Sequence, residues 1–125
     1  MNVAQLFIVT AMIESVAGLT LLLAPAVFIR LLFGSAVEMF PATGVARLTG
    51  AALLSLGAAC WWARHEERSA ASRALVGGML IYNATVVALV IAGALGALGP
   101  LQWAAVVLHG ALAIWCAWVV ANRRR

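Results

Sequence analysis

The sequence predicts an all-α fold: an antiparallel four-transmembrane-helix bundle with both termini on the cytoplasmic side. Three observations lead there. Of the 125 residues, 66% are hydrophobic and only 10% charged, against roughly 25% charged in an average soluble domain. So few polar groups cannot cover a water-facing globule of this size. The apolar residues gather into four runs, each able to cross a hydrocarbon core of about 30 Å at roughly 1.5 Å per residue. The arginines, finally, crowd one side of those runs, as cytoplasmic loops require. Residues 1–125 read as a single integral membrane domain.

The first span covers about 3–23 and stops before Pro25. Ala24-Pro25-Ala26 loosely resembles a signal-peptide cleavage site, but Met1–Gln5 holds no Lys or Arg and Glu14 interrupts the apolar run. The run is also too long for a signal-peptide core, so the segment is expected to remain as a span. Residues 25–34 are apolar but too short to cross, and read as an interfacial helix with Arg30 turned to the headgroups. The second span covers about 44–63 after Pro41, the third about 74–94, and the fourth about 101–121 after Pro100. Proline at these boundaries starts or ends a helix without removing an interior hydrogen bond. Gly96-Ala97-Leu98-Gly99-Pro100 forms a tight turn between the last two.

All eight basic side chains are arginine, and the net charge is +4. Arg64, Arg68 and Arg73 lie between spans two and three, and Arg123, Arg124 and Arg125 follow span four. The opposite side has only Arg30 and Arg47. The N-terminus, the middle loop and the C-terminus therefore face the cytoplasm. Trp61, Trp62 and Trp118 near the inner ends, with Trp103 near the outer one, suit aromatic belts. Arginines placed at helix ends point to anionic lipid headgroups as the partner, and not to nucleic acid. Cys60 and Cys116 fall in apolar runs and read as packing residues, with no Cys/His spacing for a metal.

Four sites hold residues that hydrocarbon does not tolerate. Glu14 lies at the middle of span one, Tyr82-Asn83 at the middle of span three, and His109 near the middle of span four, while Arg47 enters span two from outside. An ionised side chain at the bilayer centre costs at least about 2.5–3.5 kcal/mol on insertion scales, so these groups should face the bundle and find partners. Thr10, Ala11, Ala17 and Gly18 surround Glu14 at helical spacing, and Gln102, Ala105, His109, Ala113 and Cys116 make a stripe on the last span. Ala46 and Gly50 form a small-residue pair on span two, with Gly57 further along. Counted from the inner boundary, Glu14 sits at roughly 16 Å and Arg47 at roughly 25 Å, which two long side chains nearly bridge. A Glu14–Arg47 ion pair, direct or through water, is therefore expected. The alternative for Glu14, Asn83 and His109 is interhelical glue, and for Arg47 it is pairing or snorkelling to the headgroups; for His109, a proton-responsive site or a haem ligand also stands open.

No catalytic residue set emerges. His65-Glu66-Glu67 lacks the second histidine of a zinc-protease helix, and His65 lies at a different depth from His109, against a bis-histidine haem. No cofactor or metal is implied.

The stretch Ala11-Met12-Ile13-Glu14-Ser15-Val16-Ala17-Gly18 resembles the first helix of small multidrug resistance transporters. That resemblance implies proton exchange for cationic drugs at Glu14; it covers one helix, and the arginine-rich middle loop departs from the family. Over more of the chain, Gly18 through Ala24-Pro25, Ala46-Arg47-Leu48-Thr49-Gly50 through Gly57, Tyr82-Asn83, Trp103 and His109-Gly110 are similar to small bacterial four-helix, DoxX-like proteins. This second resemblance implies a multi-pass protein of the bacterial inner membrane and no defined activity. Together these features point to binding or transport of a small or lipophilic ligand, with proton coupling, by Glu14, Arg47, Tyr82, Asn83 and His109. The rival expectation is a non-catalytic accessory or assembly subunit, acting as a homo-oligomer or within a larger membrane complex.

Overall fold

Asn2 and Gln5 start the first helix with a reciprocal cap. The Asn2 side chain accepts from the Ala4 amide at 2.9 Å, and the Gln5 side chain accepts from the Asn2 amide at 3.4 Å, which satisfies donors that a helix start leaves orphaned. In the computed structural model, which describes residues 2–33, 40–66, 69–93 and 98–122, this helix is α1 (Val3–Leu23). It is followed by α2 (Pro25–Phe33), α3 (Phe40–Ala63), α4 (Ala70–Ala92) and α5 (Pro100–Asn122). The expected positions Gly34, Arg68, Gly96, Ala97 and Arg123–Arg125 lie outside the described residues.

Local chemistry explains each boundary. Ala24 still donates to Thr20, but Pro25 has no N–H to continue the ladder, and α2 restarts from the Ala24 carbonyl. Pro100 occupies the first position of α5, and Gln102 accepts from the Gly99 amide at 2.9 Å, the N3-to-cap half of a capping box. Gln102 thus caps α5 as well as belonging to its inner stripe. The third span begins four residues earlier than the expected 74. Ser69 caps α4 by accepting from the Ser72 amide at 3.0 Å, so Arg73 sits inside the first turn and not in the loop. Gly93 closes the other end of α4, its amide donating to Leu89.

Four helices, covering Val3–Leu23, Ala42–Ala63, Ala70–Ala92 and Pro100–Asn122, are long and apolar enough to cross a membrane. The core holds apolar Leu6, Phe7 and Met79, yet large apolar groups also face outward and a few polar ones are enclosed. Trp62 is 76% exposed and Ile114 72%, whereas Glu14 is 1% exposed and Asn83 and Thr10 are fully buried. Large apolar groups outward and polar groups inward suit a hydrocarbon solvent. The hydroxyls of Thr20, Thr49 and Ser55 bond back to the carbonyls of Val16, Val45 and Ala51 on their own helices, as side chains must where no water can serve them.

The helices form two compact units, Phe7–Arg64 and Met1–Leu6 with His65–Arg125. In the first, α1 and α3 touch backbone to backbone. A Cβ added at Gly18 would lie 2.8 Å from the Gly50 carbonyl oxygen, and one at Gly50 would lie 2.7 Å from that of Gly18. A Cβ at Gly57 would meet the Ser15 hydroxyl at 2.8 Å and the Ala11 carbonyl at 3.2 Å. Contacts that rise along α3 as they fall along α1 make the pair run in opposite directions, and only glycine permits that approach. In the second unit α4 and α5 pack together as a hairpin.

Candidate functional site: a polar cluster on the α4–α5 hairpin

Asn83 and His109 are each nine residues from the turn-proximal end of their helices. At about 1.5 Å per residue both lie about 14 Å from the turn, close to the middle of a hydrocarbon core. The Asn83 amide nitrogen donates to the Met79 carbonyl at 2.7 Å, one turn back on α4. That bond leaves Oδ1 to face across the hairpin, 2.7 Å from Nδ1 of His109. An amide oxygen only accepts, so Nδ1 must carry the proton, and in a neutral imidazole Nε2 then holds the lone pair. Tyr82 meets the imidazole edge-on, with ring centroids 5.7 Å apart and planes at 85°. The histidine is half-buried, its tautomer set by Asn83 and its plane braced by Tyr82.

The expected stripe on the last span is the sheltered face of α5. Gln102, Ala105, His109 and Ala113 are half-buried and Cys116 is buried, while Trp103, Val107 and Ile114 are exposed.

Glu14 is buried on α1 in the other unit, eleven residues into the helix, with buried Thr10 one turn before it. The Thr10 hydroxyl has no hydrogen-bond partner among the described residues. Among the described residues Arg47 makes no direct ion pair with Glu14. The Gly18–Gly50 contact sets Arg47 level with Leu21, seven residues and about 10 Å beyond Glu14. Rotation separates the two further. At about 100° per residue, Glu14 lies about 40° to one side of Gly18 on α1, and Arg47 about 60° from Gly50 towards the opposite flank of the pair. Arg47 is exposed there while Glu14 is enclosed. An arginine this close to a span's end reaches the headgroups by snorkelling, which removes the need for a buried partner.

The structure thus brings Tyr82, Asn83 and His109 together within the α4–α5 hairpin, and within the α1–α3 pair it sets Arg47 away from Glu14. It also shows two features the sequence pattern did not reveal. Ser72 is buried in the first turn of α4, and Ser15 packs its hydroxyl against Gly57. Both are small hydroxyl residues whose facing depends on helix rotation, for which the local sequence offers no signal. In comparisons with protein families, characterised proteins and solved structures, nothing matches this chain.

Proposed function

We propose that this chain is a multi-pass protein of the bacterial inner membrane, an antiparallel four-helix bundle with both termini in the cytoplasm. It binds a small lipophilic ligand through the Tyr82–Asn83–His109 cluster. The observation that carries this reading is the 2.7 Å contact between Asn83 Oδ1 and His109 Nδ1 at mid-span depth. Nδ1 is committed to Asn83, so Nε2 offers a directed acceptor in a medium where other acceptors are scarce. A hydroxyl- or phenol-bearing lipophile is the ligand class this geometry serves, with the Tyr82 ring as an apolar wall. Proton coupling is assigned to the buried carboxylate of Glu14, whose ionised form carries a large cost at this depth.

Native mass spectrometry of the protein released from gentle detergent tests this. A retained small molecule is expected on the wild type, lost in His109→Ala and weakened in Asn83→Leu, which leaves the ring unoriented. A wild-type chain that carries no small molecule under any mild extraction would overturn the reading.

The accessory-subunit reading is favoured by a different observation. Ala70, Ala74, Gly78, Ala84 and Ala88 are all exposed on α4, and nothing lies within 4 Å of a Cβ built at Gly77 or Gly78. Small residues on an outward helix face allow close approach of another membrane helix. Co-purification of a stoichiometric protein partner, abolished by Gly78→Leu, would establish this reading in place of the first.

A further inference from the structure

A second concave site lies on the α1–α3 pair, on the flank opposite Glu14. Ala11, Ser15, Gly57 and Ala58 leave a groove of about 400 Å³ whose rims are Met12, Val16, Leu54, Trp61 and Trp62. That volume falls in the range of small-ligand pockets, roughly 300–1,000 Å³. Along α3 the groove runs from Leu54 to Trp62, one residue short of the helix end. Eight residues at about 1.5 Å make about 12 Å, close to the depth of one leaflet's hydrocarbon. The lining is mostly apolar, its polar groups being the Ser15 hydroxyl and the indole N–H of Trp61 and Trp62, so the groove suits a single acyl chain entering from that leaflet.

A charge adjoins the groove through Trp61, although Arg64 does not itself line it. The Arg64 guanidinium carbon stacks 4.0 Å from the centroid of the Trp61 ring, and its Nη1 donates to the Trp61 carbonyl. These contacts hold a half-buried cation beside one wall of the groove. Stacked there, the arginine covers a face of Trp61 that a cationic ligand would need. Its own charge repels such a ligand and attracts an anion, and a guanidinium pairs with phosphate through parallel N–H donors.

We infer that the α1–α3 groove is a binding site for an anionic phospholipid, with one acyl chain along Gly57 and Ala58 and the phosphate at Arg64. This site is built on other helices than the His109 cluster, and the proposal stands whether or not that cluster binds a ligand. Anionic lipid at Arg64 ties the end of α3 to the membrane surface, which gives this arginine a defined partner beyond general attraction to the leaflet.

The full-length protein is equilibrated in mixed micelles containing equal amounts of dioleoyl phosphatidylglycerol and dioleoyl phosphatidylcholine, and retained lipid is counted by native mass spectrometry. One phosphatidylglycerol per chain is expected, preferred by about fivefold, which is what one arginine contributes at an anionic surface. Arg64→Gln should lower that preference to about equality, and Ala58→Phe, which fills the groove, should reduce retention of both lipids. Soluble glycerophosphoglycerol should not displace the lipid, because it lacks the chain. Equal retention of the two lipids by the wild type would overturn the proposal even if neither variant folds. So would a preference that survives in Arg64→Gln, or displacement of the lipid by the soluble headgroup.

Discussion

Single side chains divide sharply by what surrounds them. Gly18 and Gly50 face each other's backbone, where a methyl group meets a carbonyl oxygen at 2.8 and 2.7 Å and neither main chain can step aside. Gly77 and Gly110 have open space where a Cβ would stand. Gly18→Ala and Gly50→Ala are therefore expected to destabilise the protein by about 1–3 kcal/mol, the usual cost of overpacking. Gly77→Ala and Gly110→Ala should stay within about 1 kcal/mol of the wild type, because the added methyl costs nothing sterically and stiffens the helix. Reversible unfolding in mixed micelles measures both pairs, and equal effects at all four positions would contradict the packing described. At this scale the sequence was informative about kind and silent about facing. That Glu14, Asn83 and His109 are too polar for lipid follows from residue type and depth alone, and so does the attraction between small residues. Whether Arg47 turns to Glu14 or away depends on a rotation of α3 that Gly50 and Gly57 set by contact with α1. Nothing local to Arg47 records it.

Helix ends were legible at Pro25 and Pro100 but not at Pro41, which lies in the first turn of α3, so that helix begins at Phe40, four residues before the expected 44. Pro25 and Pro100 fix the ends of α1 and the start of α5 within a residue of expectation, because a missing N–H is a strong and local signal. The start of α4 was displaced for the opposite reason. Arg73 reads as a loop charge, but Ser69 captures the Ser72 amide and draws the helix four residues further towards the loop. Ser69→Ala should cost about 1 kcal/mol and fray this turn, while Ser69→Asp, which keeps an accepting oxygen at the cap, should leave stability near that of the wild type. Amide exchange at Ala71, Ser72 and Arg73 reports the fraying directly. Unchanged protection in Ser69→Ala would mean that the cap does not determine where α4 begins.

Across the whole molecule, composition alone gave the class, since four apolar helices enclosing a few polar groups are what a chain so poor in charge can build. The proposed orientation rests on the distribution of arginine, and it makes a prediction of its own. Cys60 and Cys116 are both fully buried, so a cysteine introduced elsewhere dominates labelling. With an impermeant thiol reagent on intact cells, Gly99→Cys should react and His65→Cys should react only after the membrane is opened. The reverse pattern would invert the topology. Inversion would leave the helix pairs intact, because the Gly18–Gly50 contact and the Asn83–His109 bond do not depend on which side is inside.

Whether Asn83 fixes His109 as a directed acceptor in mid-membrane is read from the nitrogen-15 spectrum of the His109 ring in lipid bilayers. In the neutral ring the proton is expected on Nδ1 with Nε2 unprotonated, and that bias is expected to be lost in Asn83→Leu. A proton on Nε2, or a tautomer mixture unchanged by removal of the Asn83 amide, would contradict this expectation and leave the cluster as helix packing alone.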